Sequence, residues 1–484
     1  MLKSISQLLA EAAHRDPNRP AISYEDRTLS RSELESSTNR LARDFANRGV
    51  KKGDLVTIAL PNSIEFYQAC IAAWKLGATP QPVSSKLPER ERAEIVELAN
   101  PALLIGADPE KHPGIQTLQA GYKADSSLSD EALPDIVAPS WKAPTSGGST
   151  GRPKIIVCKA PGAFDFDENL PSYMQRDRTH LVTGPLYHNG PLTFSIYGLL
   201  LGNHLVLRSR FDALKTLQLI DKHKIDWMML VPTMMLRISR LGNDVHQQYD
   251  LSSVRIVMHM AAPCPPWLKE EWINWFGPEA IHELFGATEG TGGTLISGTE
   301  WLTHRGSVGK PTATGKVKAV DKNGNDLPTG EIGELYWLPA GGTGSTYEYI
   351  GAQSTPTDDG WETQGDMGYI DEEGYVYLSD RKSDMILSGG ANIYPAEVEA
   401  AIEAHPAVRT CAVIGLPDED MGQLPHGIVD TAEDVTEEEL LEFLADQLVR
   451  YKIPRSIEFV DEPLRDEAGK VRRLALLNER TAKQ

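Results

Sequence analysis

Apolar residues in the first part of the chain recur first with a helical period and then in short runs, which predicts helices and strands in alternation. Between residues 28 and 49, Leu34, Leu41, Ala42, Phe45 and Ala46 share one helical face, and Gly49 stands where a C-terminal cap belongs. A strand at 55–60, a helix at about 63–76 and an extended run at 79–83 follow, the order of parallel α/β structure. Residues 100–143 are less regular. Alternation resumes with a strand at 204–208, a helix at 211–223 with Asp212 as its N-cap, and strands at 227–231 and 254–258, so a second parallel layer is expected.

From about residue 305 the texture changes. Strands at 315–320, 333–338 and 375–378, separated by turns such as Asp321-Lys322-Asn323-Gly324, predict an antiparallel β subdomain. In the last hundred residues Pro395 opens a helix at 396–404, a strand follows at 410–414, and Thr436-Glu437-Glu438-Glu439 is a capping box for a helix to about 449. The charged stretch Asp380-Arg381-Lys382-Ser383 is the expected boundary between domains 1–380 and 381–484.

A chain of 484 residues exceeds one compact domain, and its 40% hydrophobic and 24% charged content is that of a soluble globular protein. No apolar run is long enough for a membrane span, and Met1-Leu2-Lys3-Ser4 opens without a secretory core, so a cytoplasmic location is expected. Cys70, Cys158, Cys264 and Cys411 lie far apart, which predicts buried thiols rather than a disulfide framework or zinc site. The net charge of −20 makes nucleic acid and anionic membranes poor partners. Any nucleotide site must therefore supply its own positive field.

Five stretches carry candidate chemistry. In Thr145-Ser146-Gly147-Gly148-Ser149-Thr150-Gly151-Arg152-Pro153-Lys154, glycines free the backbone while hydroxyls and one ammonium converge, which suits a phosphate chain. It is not a Walker loop, because no Gly-Lys-Ser/Thr follows, and a flexible linker is the bland alternative. The strand expected at 155–158 argues for a held loop. In Phe285-Gly286-Ala287-Thr288-Glu289-Gly290 a ring can stack on a base, Gly286 admits close approach, Thr288 can hold a phosphate oxygen and Glu289 can hold Mg²⁺. Read alone it is equally a turn. Asp366 of Gln364-Gly365-Asp366 can accept two bonds from a ribose diol, or serve an ordinary Asx turn. The fourth stretch runs from Asp380 through Gly389-Gly390 to Pro395, and the fifth from Leu464 through Gly469-Lys470 to Arg473. A lysine so placed in an acidic chain is ordinarily a solvated charge.

Taken in order, these stretches resemble the adenylate-forming superfamily of acyl-CoA synthetases, aryl-CoA ligases, luciferases and peptide-synthetase adenylation domains. The resemblance runs from Leu29 to Lys470. It implies an α/β protein with a large N-terminal domain of two stacked α/β sheets plus a β subdomain, and a small mobile α+β C-terminal domain. By this match the 145–154 loop holds phosphates, Ala262 of Ala261-Ala262-Pro263 borders adenine, and Arg381 touches ribose or phosphate. Gly389 and Gly390 line a pantetheine tunnel, and Lys470 meets the α-phosphate and the acid. Pro185-Leu186-Tyr187-His188 resembles the acyl-pocket segment, with His188 as a gate.

The chain departs from the family pattern at Gln364 for threonine, at Ser383 for the pivot Asp or Lys, and at Leu464 for proline. Ser383 or Asp384 is then the hinge. The implied reaction joins a carboxylic acid to AMP from ATP with Mg²⁺, releases pyrophosphate, and passes the acyl group to coenzyme A. With no carrier domain after Lys470, coenzyme A is the expected acceptor, and a free-standing carrier protein stays open as the alternative. Homodimerisation stays open as well. The double glycine of the phosphate loop and residues 384–397 resemble ligases for bile acids and other polycyclic acids, which implies a bulky steroid or terpenoid acid, with aryl acids open. An NTPase or a non-catalytic adenylate-binding protein are the rival readings.

Overall fold

The computed structural model describes residues 1–147, 153–462, 464–466 and 469–482. Strands Thr179–Val182, His204–Leu207, Trp227–Leu230, Ile256–His259 and Ile281–Gly286 pair in parallel, with helices between most of them. Trp227, Met228, Met229 and Leu230 are all buried, the mark of a strand covered on both faces. A smaller parallel sheet is built from Thr79–Pro82, Leu55–Ile58, Leu103–Ile105 and Thr117–Leu118. The helix Ile64–Lys75 is buried along nearly its whole length and touches strands of both sheets, so its apolar surface joins the two layers.

The expected β subdomain is not a separate sheet. Gly293–Ser297 pairs antiparallel with Ile281–Gly286, which turns the edge of the parallel sheet into the start of an antiparallel run. That run continues through Ser307–Pro311, Val376–Arg381, Glu362–Ile370, Gly333–Pro339 and Gly315–Val320, making one sheet of 13 described strands. It keeps its own small core of Val308, Ala319, Leu335 and Val376.

Local expectations hold with two adjustments in the first fifty residues. The helix Arg31–Asn47 is capped by Ser30 and buries Leu34, Ala42 and Phe45, but Ala46 is exposed. Asp44 is buried in its stead, joined to Arg48 at 3.0 Å one turn on. A helix at Ile5–Arg15 was not expected. Its signal is the Ser4/Gln7 capping box followed by buried Leu8, Leu9, Ala12 and Ala13. The C-terminal helix Glu437–Ala445 starts at the expected capping box and ends before 449.

Residues beyond Arg381 form a second core from Ile386, Ile393, Val398, Ile402, Val413, Val429 and their neighbours. Contacts among the described residues seat it on the N-terminal part of the chain. Arg240 donates to the carbonyls of Glu403, His405 and Pro406, at and just past the C-terminal end of the helix Pro395–Glu403. A Cβ at Gly469 would lie 3.1 Å from Thr233 Oγ1 and 3.3 Å from Val231 Cγ2, so this loop abuts the end of Trp227–Leu230. Among the described residues no helix is long and apolar enough to cross a membrane.

Candidate active site

The strand Thr145–Gly147 runs into the phosphate loop, and Pro153–Cys158 returns from it antiparallel, burying Ile155 and Ile156. Gly148, Ser149, Thr150, Gly151 and Arg152 lie outside the described residues, as does the side chain of Ser146. Thr145 is held from behind. Gln81 Nε2 donates to Thr145 Oγ1 at 2.6 Å, and Thr57 Oγ1 donates to Gln81 Oε1 at 2.6 Å. Gln81 is fully buried, so its two bonds orient the amide and, through it, the threonine.

Lys154 leaves the loop toward the second motif. Its Nζ lies 3.1 Å from Glu289 Oε1 and 2.9 Å from the Tyr349 hydroxyl, which itself donates to Glu289 Oε1 at 2.7 Å. Glu289 is 6% exposed, and desolvation beside this carboxylate drives the Tyr349 phenol far above its ordinary pKa. The strand Tyr347–Ile350 delivers Tyr349 by pairing with Pro153–Cys158, Tyr349 opposite Ile156. Both described bonds fall on Oε1, so among the described residues Oε2 keeps no protein partner. An anionic oxygen beside a phosphate loop is the donor a hard cation takes, and the site fits Mg²⁺ on that ground.

Thr288 and Glu289 form the turn after Ile281–Gly286; Thr288 is half-buried and Gly286 exposed. Phe285 packs against the small core and sits 6.1 Å from the Trp337 ring. Ala262 follows Ala261, whose φ of 75° is left-handed for a residue with a Cβ, local strain of the kind that surrounds binding loops.

Gln364-Gly365-Asp366 lies within the strand Glu362–Ile370 and not in an Asx turn. Asp366 is in register with Arg381 on the neighbouring strand, and Arg381 Nε lies 3.4 Å from its Oδ1. Desolvation raises the Asp366 pKa, and Arg381 opposes that. Lys470 enters the same field. It keeps solvent contact, but desolvation and then Arg381 lower its pKa, while Asp466 and Glu289 raise it. Its loop is closed by Lys470 N donating to Asp466 Oδ1 at 2.9 Å and Asp466 N donating to Lys470 O at 3.0 Å.

Two further predicted groups lie on other elements. Gly389 and Gly390 join Ile386–Ser388 to Ala391–Ile393 as a two-residue hairpin turn, with φ of 56° and 84°. Positive φ at both positions favours glycine there. His188 is the N-cap residue of the helix Asn189–Leu200, its ring 4.4 Å from Tyr187. Beside it, a Cβ at Gly190 would meet Met229 and Met260 at 3.0 Å, so this helix start packs on the strand whose C-terminal end, at Val231, also touches Gly469. Gln81 and Tyr349 escaped the sequence reading; the alternation of Tyr347 and Tyr349 in a short strand was their one local signal.

Residues 9–341 match the AMP-binding enzyme family, and residues 397–470 match the AMP-binding enzyme C-terminal domain. A 2-succinylbenzoate–CoA ligase of Bacillus licheniformis is 30% identical over 485 residues, covering 98% of this chain and 99% of that protein. Among solved structures, the o-succinylbenzoate CoA synthetase of Bacillus subtilis with its acyl-adenylate intermediate superposes with a TM-score of 0.82 at 26% identity, covering 98% of each chain. The same synthetase with ATP and magnesium ion gives a TM-score of 0.80 at 26% identity, covering 98% of this chain and 100% of that one. The chain belongs to the AMP-binding enzyme family. Within it the protein is an AMP-forming acid–CoA ligase, working with ATP, magnesium and coenzyme A.

Proposed function

We propose that this ligase activates a ring-bearing carboxylic acid, first of all an aromatic acid of the succinylbenzoate kind, by adenylation followed by transfer to coenzyme A. The relatives named above act on an aromatic acid by their names, not on a bile acid or steroid. The polycyclic expectation accordingly becomes the comparison arm of the test. Met229 and Met260 beside Gly190 support a pocket that accommodates a ring, since thioether side chains adapt to irregular shapes.

The observation that carries the assignment is the convergence of Lys154, Glu289 and Tyr349 with Lys470 and the Asp366–Arg381 pair. Thr145, Lys154 and Thr288 take the phosphates; Asp366 accepts from the ribose diol, with Arg381 beside it. Glu289 is the group that would hold Mg²⁺, which when bound offsets phosphate charge. Lys470 stabilises charge developing at the α-phosphate as the acid's carboxylate attacks, and pyrophosphate leaves. This is positioning and electrostatic stabilisation, with no covalent bond to the protein.

The domains divide at 380/381. Lys382 Nζ is 2.8 Å from Glu334 on the large sheet, whereas Asp384 is 3.0 Å from Arg473 in the second core. Ser383 stands between the two anchors, which supports a pivot there. Rotation about it would withdraw Lys470 and open the site for thiol attack on the acyl-adenylate.

ATP–pyrophosphate exchange without coenzyme A, over a panel of aryl, aryl-keto and steroid acids, tests this. Exchange that depends on an aromatic acid and disappears in Lys470→Ala supports the assignment. Exchange only with polycyclic acids would move the substrate class, and none with any acid would overturn it.

A further inference from the structure

Lys142 is 7% exposed, three residues before the phosphate-loop threonine, and among the described residues it has no carboxylate partner. Its ammonium donates to Asn189 Oδ1 and, at 2.7 Å, to Thr193 Oγ1, and it lies 4.2 Å from the Trp141 ring centroid. A buried cation without a counter-ion is costly, and desolvation accordingly pulls its pKa down to about 8. The arrangement has one definite consequence for Asn189. An ammonium only donates, so the amide oxygen is the atom that faces Lys142, and Thr193 Oγ1 adds a second donor to it at 3.3 Å. The amide cannot flip without setting its NH₂ against a cation. Its Nδ2 is consequently turned away from Lys142. There it has no hydrogen-bond partner among the described residues, and it is open to solvent rather than buried.

Asn189 opens its helix directly after His188, and Gly190 follows against Met229 and Met260. A fixed, unpaired donor at a helix start, one residue before the Gly190 contact with the thioethers of Met229 and Met260, is a recognition group, not a scaffold. We propose that Asn189 is a specificity-determining residue, whose Nδ2 donates to an acceptor oxygen of the acid other than its reacting carboxyl, a ketone or second carboxylate oxygen. Lys142 and Thr193 are the positioning residues that aim it. This inference rests on the aromatic-acid reading above and names the feature by which that acid is told from a plain hydrocarbon acid.

The test compares β-benzoylpropionate with γ-phenylbutyrate, which differ by the keto oxygen, in exchange assays on wild type, Asn189→Asp and Lys142→Met. Asp at 189 gives Lys142 a counter-ion and keeps the fold, but puts an acceptor where the donor was. Its kcat/KM for the keto acid should fall about ten- to hundredfold relative to the keto-free acid, with KM for ATP unchanged. Lys142→Met should lose the same selectivity through a freed amide; if that variant does not fold, Asn189→Asp alone decides. An unchanged ratio in Asn189→Asp, or a wild type that does not prefer the keto acid, overturns the inference while leaving the ligase assignment standing. A wild type that activates neither acid overturns the aromatic reading and this inference together.

Discussion

Nζ of Lys154 lies 3.1 Å from Oε1 of Glu289, joining the strand that leaves the phosphate loop to the turn that follows the fifth parallel strand. Glu289 is the more deeply buried of the two. Glu289→Gln should cut acid-dependent pyrophosphate exchange by about 10²–10³. AMP, which lacks the β- and γ-phosphates, should bind the variant as it binds wild type in calorimetry, while ATP binding weakens.

Lys470 sits on a loop closed by Asp466 and pressed on Val231 and Thr233, separate from the Gly389-Gly390 hairpin. Lys470→Ala should therefore lose adenylation by about 10²–10³ yet form thioester from supplied acyl-adenylate and coenzyme A at close to the wild-type rate. Single-turnover assays of the two half-reactions read this directly, and equal losses in both would refute the division of labour.

Arg465 lies 2.9 Å from Glu399 and 3.3 Å from Glu403, both nearly buried, and Arg473 meets Glu399 at 2.7 Å. Removing Arg465 leaves two carboxylates desolvated side by side, and desolvation already raises the Glu403 pKa. Arg465→Met should cost about 3–5 kcal/mol in this core. All 9 tryptophans precede residue 381. Denaturant unfolding should then show an early far-ultraviolet transition without an equal early change in tryptophan fluorescence.

Three histidines are held neutral by burial: His180, with its pKa lowered to about 3, and His204 and His259, each lowered to about 4. The unfolded chain binds these protons near pH 6.5 and the folded chain only near pH 3–4, so between those limits the unfolded state holds more protons. Their contribution to stability is whole above pH 6.5 and declines as pH falls through that window. Denaturation midpoints measured across it should fall with acid. His180→Leu should flatten the slope, because neither ring nitrogen of His180 has a hydrogen-bond partner among the described residues.

Much of this protein was legible in the order of its residues. Periodicity located the strand Trp227–Leu230 and the helix Ala213–His223 with its Asp212 cap, and the Thr436 capping box marked its helix start. Motif order pointed to Glu289, Asp366, Arg381 and Lys470, because residues next to one another in a loop keep their spacing whatever the fold does. Tertiary structure alone decided the rest. Tyr349 is 195 positions from Lys154, Glu289 is 135 positions from it, and Asn189 is 47 positions from Lys142. No local pattern records such pairs. Asp366 reads as a turn residue until strand pairing sets it opposite Arg381, and Gly389-Gly390 is seen to turn a hairpin only once Ser388 pairs with Ala391. Hydrophobic period and capping act over one or two turns of chain and are written in sequence. The contacts that orient Asn189, bury Lys142 and set Lys470 near Arg381 exist only once the sheets have packed.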